Sequence, residues 1–405
     1  MHAELTRLES APKAPVSWDA ARERAHAAAA PVSPRPVPLG DALGAVLAMP
    51  LVAAVAVPAV DRSAMDGYAV CGDPPWTVVG RVAAGLPTPG PLSAGQAYAV
   101  VTGAALPERT TAVLRDEDAT LAGDRLTGTV TAGRHIRRAG EECGPGEPVV
   151  PAGAAVVPAV LGLAAALGCD ELCVRPAPRV AAIVTGDELT DHGPPRAERV
   201  RDAIGPMLPG LVAAAGGRCT GVVRLRDSRP LLVHALRTAE AEVVLVSGSS
   251  AAGPADHLRA ALSALGAEFV VDGVACRPGH PQALARLPGG GLVIGLPGNP
   301  LAALAAFLTL AVPVLAGLRG ESMPRLGWAR ASDLAVHPDC TRLVPVSVRD
   351  GLARAVGHAG SAMLRGAAVA DAFAVVAPGT EPSRADPVRL LPLTPEAQLV
   401  PLGAV

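Results

Sequence analysis

The chain has 405 residues, a formal net charge of −2, half its residues hydrophobic and 2% aromatic. That length exceeds one ordinary core and predicts two to four domains packed mainly by Ala, Val and Leu. Lys13 is the only lysine, no arginine run occurs and the balance is slightly acidic, which argues against a nucleic-acid binder built on a basic patch.

Residues 1–16 read as frayed. The segment carries Glu4, Arg7 and Glu9 and lacks an apolar core, so a signal peptide is not expected. Ser17 is placed to cap a helix over 18–30, which the proline-rich stretch 31–38 ends. A second helix is predicted near 40–48, followed by an apolar run at 51–57. Ser63-Ala64-Met65-Asp66-Gly67-Tyr68-Ala69 then brings together one of two tyrosines and one of six methionines around an Asp-Gly step. Asp-Gly is turn chemistry. It reads either as a hairpin turn or as a carboxylate held toward a ligand.

Short strands are predicted at 76–79, 98–101, 112–114 and 125–130, a small β module. Residues 140–153 read as turns, and 158–167 as a helix with Pro at its start and Gly168 past its end. The seven cysteines are scattered and odd in number. Cys169-x-x-x-Cys173 lacks a second pair at metal spacing. Free thiols in a reducing cytoplasm are expected.

From Arg179 the pattern alternates. Strands are predicted at 180–184, 221–225, 243–246 and 291–296, with a further extended run at 268–276. Helices are predicted at 202–215, 229–239 and 254–265. Such alternation with continuous apolar strands indicates a doubly wound, mainly parallel sheet. The uncharged stretch 301–318 approaches membrane-span length. It is interrupted by Pro313 and Gly317 and follows a strand and a turn, so a buried helix is expected and no membrane partner. Beyond 323, strands at 342–348, 373–377 and 388–391 suggest a small barrel or sandwich.

Ligands of open α/β sheets bind beyond the carboxyl ends of the strands. Three predicted strands end in Thr185-Gly186-Asp187-Glu188, Ser247-Gly248-Ser249-Ser250 and Pro297-Gly298-Asn299-Pro300. Small residues before a helix suit an anion such as phosphate, and carboxylates on the same rim suggest Mg2+. The P-loop, dinucleotide and nucleophile-elbow motifs are absent from the sequence.

Taken in order, these segments resemble the molybdopterin molybdenumtransferase family, whose relatives include the gephyrin C-terminal domain. The shared pieces are Ser63 to Ala69, then Thr102-Gly103-Ala104 with Pro107, and Gly140-Glu141-Glu142 with Gly146 and Gly153. Thr185 to Leu189 follows, then Ser247-Gly248 with Gly253 and Asp256, Pro278-Gly279, Leu296 to Pro300, and Gly360-Ser361. The resemblance spans about 15–400. It implies a multidomain chain with a linker and dimerisation domain at 15–49 and 141–177. An inserted β module would occupy 50–140, an α/β molybdopterin-binding domain 178–322 and a C-terminal β-barrel 323–405.

The implied activity is insertion of molybdate into adenylylated molybdopterin with release of AMP, assisted by a divalent cation. The residues carried over are Asp66, Glu142, Glu188 and Asp256 as catalytic groups, with Asp66, Glu188 and Asp256 holding Mg2+. Substrate contacts are expected from Thr102, Thr185, Gly186, Asp227, Ser247, Gly248, Arg277, Pro297, Gly298, Asn299 and Ser361. A homodimer with a shared active site is implied, with molybdoenzymes or their chaperones as further partners. The chain departs from the family pattern at Asp202-Ala203-Ile204, at Ser249 to Pro254, at Arg277-Pro278-Gly279-His280 and at Glu142. The alternative is therefore a paralogue that binds a pterin, a nucleotide or a partner protein without turnover.

Overall fold

The computed structural model describes residues 14–248, 257–357, 360, 362–379 and 386–393. The chain divides into two compact units, one of residues 35–174, the other of 1–34 with 175–405.

In the unit of residues 35–174, a six-stranded sheet runs in the order Thr120–Ala122, Arg125–Thr127, Trp76–Val82, Gln96–Val100, Gly67–Val70 and Ala112–Arg115. Trp76, Leu114 and Leu126 form one of its cores, and Val82, Leu92 and Val113 another. A three-stranded sheet, Arg35–Pro38, Glu171–Arg175 and Val46–Leu47, carries the helix Pro158–Ala166 nearby in sequence. The expected helix at 40–48 is instead a 3-10 turn, Leu39–Asp41, and the strand Val46–Leu47. Gly44, at φ 77°, turns the chain there. Helix Pro158–Ala166 carries apolar residues throughout, yet only its Ala164 is buried.

In the other unit, a six-stranded sheet has the order Arg218–Leu225, Arg179–Thr185, Val243–Ser247, Leu292–Leu296, Ala283–Arg286 and Glu268–Asp272. The first four strands are parallel; Ala283–Arg286 runs against both of its neighbours. Alternate strand residues feed opposite faces. Val180, Ala182 and Leu245 join Leu208, Val212 and Leu315 on one side, while Ile183, Val244 and Val246 join Leu232, Leu236 and Leu262 on the other. The expected run 268–276 is two strands split at Gly273, and Val274–Arg277 leaves this sheet to pair with Thr341–Arg349.

The segment Pro300–Arg319 is one apolar helical span of 20 residues, long enough to cross a membrane, and 94% of its most apolar 18 residues lie buried within the protein. Pro313 does not break it. A π-helical turn, Phe307–Ala311, precedes Val312–Arg319, and Val312 N–H bonds Phe307 O. That wider turn accommodates a proline that offers no N–H and crowds the preceding turn. Nor is Gly317 a breaker: a β-carbon there would lie 2.7 Å from His26 O. It permits close approach of the N-terminal helix Trp18–Ala27, which Ser17 caps through Ala20 N–H at 3.3 Å. Between these helices Trp18 Nε1 donates to Thr309 Oγ1 at 3.0 Å.

The last strands close a five-stranded barrel. Thr341–Arg349 pairs with Leu352–Ala355, then Gly327–Ser332, Pro387–Pro392 and Ala372–Val376, which returns to Thr341–Arg349.

Candidate active site

In the unit of residues 35–174, the Asp-Gly step is not a hairpin turn. It is the entry to strand Gly67–Val70, which pairs on both sides with Gln96–Val100 and Ala112–Arg115. Gly67 has φ 148°, and a β-carbon would fall 2.0 Å from Leu114 O. No other residue fits there without displacing the neighbouring strand. Behind it, buried Ser63 donates its hydroxyl to Met65 O at 2.6 Å and bonds Ala104 and Gly103 through its backbone. His135, held at φ 60°, accepts Ala64 N–H through its carbonyl.

These contacts leave Asp66 exposed and fixed. Its Oδ1 accepts Thr102 N–H at 2.7 Å and the Thr102 hydroxyl at 3.1 Å. Two residues expected in the site are therefore directly bonded. Glu142 is exposed, with its backbone N–H on Val57 O at 3.0 Å.

In the other unit, the loops after strands Arg179–Thr185, Val243–Ser247 and Leu292–Leu296 converge. Thr185 Oγ1 donates to Ser247 O at 3.0 Å. Gly248 has φ 96°, and a β-carbon there would lie 2.3 Å from Thr185 Oγ1. A β-carbon on Gly298 would lie 3.8 Å from Gly248 Cα. Pro297, Gly298 and Asn299 lead into the helix whose first residue is Pro300. Adjacent parallel strands ending together put these backbone turns on one edge.

Carboxylates gather on that edge. Asp187 N–H donates to Asp227 Oδ2 at 3.2 Å, and Asp227 N–H returns to Asp187 Oδ1 at 3.4 Å. The Glu188 carboxylate folds back over Gly186, Oε2 lying 3.0 Å from the position of a β-carbon there. A cleft of about 470 Å³ opens here, lined by Gly186, Asp187, Arg199, Arg224 and Arg226 among others. The three arginines were not among the expected site residues. For Arg224 and Arg226 the signal is the Arg224-Leu225-Arg226-Asp227 run at the end of a strand, where charge is otherwise unexplained; Arg199 carries no such signal.

Of the other expected residues, some belong to the segment 273–282, which meets the sheet at this same edge through the Ala283–Gly295 pair, and two fall outside the description. Arg277 is exposed at the end of Val274–Arg277, in register with Arg342. His280 Nδ1 donates to Val274 O at 2.8 Å, closing that loop. Ile204 is buried in the apolar core. Asp256 and Ser361 fall outside the described residues. Among the described residues no group of three metal-binding side chains comes together. The paired Asp187 and Asp227 do supply hard oxygen donors, and Mg2+ is commonly held by one or two carboxylates plus substrate phosphates. The residues present fit that ion.

Residues 16–168 match the MoeA N-terminal region (domain I and II), 181–317 the probable molybdopterin binding domain, and 330–392 the MoeA C-terminal region (domain IV). The chain is 34% identical over 304 residues to molybdopterin molybdenumtransferase 2 of Mycobacterium tuberculosis (strain H37Rv), covering 70% of this chain and 74% of that one. It is 33% identical over 298 residues to molybdopterin molybdenumtransferase of Haemophilus influenzae, covering 70% and 72%. The crystal structure of the molybdopterin biosynthesis MoeA protein from Pyrococcus horikoshii superposes with a TM-score of 0.76 at 26% identity, covering 94% of this chain and all of that one.

Proposed function

The chain belongs to the molybdopterin molybdenumtransferase family, transferases of molybdenum cofactor biosynthesis, and from that premise we propose that it inserts molybdate into the dithiolene of adenylylated molybdopterin and releases AMP, with a divalent cation assisting. The observation that carries this reading is the convergence of three strand-end turns with the Asp187–Asp227 carboxylate pair on one sheet edge. Molybdate and the pyrophosphate link are anions. The close glycine turns at Gly248 and Gly298 let such an anion approach the backbone, and the arginines of the cleft suit its charge. Asp187 and Asp227 would hold Mg2+, with Glu188 beside Asp187 in the chain as a further oxygen donor and Asp256, expected from the resemblance, as another. Bound there, the ion would neutralise charge developing on phosphate oxygens.

Asp66 and Thr102 supply a second fixed carboxylate and donor. We assign these, with Glu142, Arg277 and Ser361, to substrate orientation in a homodimer, the Asp66 of one subunit serving the α/β domain of its partner. Helix Pro158–Ala166 packs Val160, Leu161 and Leu163 against its own core and leaves Ala159, Ala165 and Ala166 exposed, an uncharged face that supports association. All seven cysteines are free thiols, which supports a reducing cytoplasm.

The test supplies adenylylated molybdopterin, molybdate and Mg2+ and measures AMP. Release is expected from the natural sequence and not from a protein carrying Asp66→Asn with Glu188→Gln. Equal release from both proteins would overturn the assignment of these carboxylates, and no release from either would favour a binding protein on this fold.

A further inference from the structure

The arginines of the 470 Å³ cleft are held in two different ways. Arg226 and Arg199 lean on Asp187, through its Oδ1 at 3.4 Å and its carbonyl at 3.3 Å. Arg224 is held from behind. Its Nε and Nη2 both donate to Asp202 Oδ2, at 3.1 and 3.0 Å. The Asp202 side chain is 1% exposed, whereas that of Arg224 is 41% exposed. Asp202 Oδ1 is taken by the N–H groups of Ile204 and Gly205, at 3.0 and 2.8 Å.

A buried carboxylate with four donors has no spare capacity for a ligand, so its charge acts through Arg224. A guanidinium offers five N–H donors in a planar fork. Two are spent on Asp202, and the rest belong to a group whose conformation is already fixed. Fixing it before a ligand arrives lowers the entropy cost of binding. The cleft wall then presents three cations and one carboxylate, a balance suited to an anion with several oxygens.

We propose that Arg199, Arg224 and Arg226 form a subsite for a pyrophosphate-bearing part of the substrate, and that Asp202 is the positioning residue that holds Arg224 in it. This rests on reading the sheet edge as a transferase site, and it adds to the three backbone turns a side-chain anchor on a fourth strand.

Inorganic pyrophosphate is the probe, titrated calorimetrically into the full chain. Arg224→Gln is expected to weaken its binding by about tenfold or more, and Arg224→Lys by less, because the charge remains but the fork is lost. Asp202→Asn is expected to weaken binding severalfold although all three arginines persist. A merely structural Asp202 would lower the melting temperature and leave pyrophosphate affinity alone. Arg237→Gln, in a separate cleft at the other end of the sheet, is the control expected to bind as the natural protein does. Pyrophosphate affinity unchanged in Arg224→Gln, or undetectable in the natural protein, overturns the subsite. If Asp202→Asn fails to fold, the Lys and Gln variants of Arg224 still decide the matter. AMP release measured in parallel separates the two readings. Arg224-dependent pyrophosphate binding without AMP release upholds the subsite and removes the transferase activity. AMP release unchanged by Arg224→Gln removes the subsite and leaves the activity.

Discussion

Thr102 donates twice to one oxygen of Asp66, once from its backbone and once from its hydroxyl. Thr102→Val removes the second donor and keeps the first at 2.7 Å, so the carboxylate stays in place with a weaker hold. A hydrogen bond to a charged group contributes about 1.5–3 kcal/mol when buried and less when exposed, so kcat/KM is expected to fall by roughly five- to tenfold. Steady-state AMP release measures it. Cys276 makes a contrasting case. It is fully buried, and burial pushes its thiol up to about 12. A buried thiol in its neutral form is a poor nucleophile. Alkylation at pH 8, read by mass spectrometry, is expected to spare Cys276 in the folded protein and to modify it after denaturation. The sign for stability follows: the folded state keeps this proton more tightly than the unfolded chain. Stability is therefore full below the unfolded value of 9.0 and declines as pH rises toward about 12, at up to about 1.4 kcal/mol per pH unit. Denaturation midpoints should show that slope reduced in Cys276→Ala.

At the scale of elements, the packing of Trp18–Ala27 against Val312–Arg319 depends on a missing side chain. Gly317→Ala would place a methyl 2.7 Å from His26 O and 2.8 Å from Ala29 Cβ. The gain in helix propensity is about 1 kcal/mol, and overpacking costs about 1–3 kcal/mol, so net destabilisation is expected. Gly210, in the helix Leu208–Ala214, has open space around its β position, and Gly210→Ala should stabilise. Urea midpoints of the two variants moving in the same direction would contradict this account. The same elements show where sequence patterns stop being informative. Apolar strand runs and their loops were legible because a parallel sheet buried on both faces demands them. The helix expected at 202–215 starts only at Leu208, because Asp202 takes the N–H groups of Ile204 and Gly205 into a local loop. Pro313 looked like an end, since nothing in the sequence signals a π-helical turn. In the site, the turns and the acidic residues were visible as motifs. The Asp66–Thr102 bond was not, because it depends on the register that pairs Gly67 with Val100. Arg224 escaped notice because its partner lies 22 residues earlier.

For the whole molecule, the testable property is subunit sharing. If Asp66 and Glu188 act from different chains, Asp66→Asn and Glu188→Gln proteins are each inactive alone. Their mixed dimers then contain one doubly altered site and one intact site. After unfolding and refolding together, about one quarter of the natural activity should return, as symmetry dictates for random pairing. Sedimentation should show a dimer throughout. No recovery from a verified mixed dimer would place both carboxylates in one chain's own site, and a monomer would remove the shared site altogether.

The route of the chain through its sheets bears on how the protein is made. Val16–Ser17 lies against Val274–Arg277, which in turn lies against Thr341–Arg349, so the first described strand belongs to a sheet finished by some of the last. Domains that are continuous in sequence can fold as they leave the ribosome. Residues 35–174 are such a stretch, able to close while synthesis continues. The flanking unit is not. Its opening helix, with Trp18 and its apolar face, must wait for Thr309, Gly317 and the barrel strands to be translated. For some 280 residues of synthesis, about 15 to 60 seconds at typical elongation rates, that helix has no native partner. A nascent chain stalled before residue 300 would expose this surface, and it is there that a ribosome-associated holding factor would be most needed.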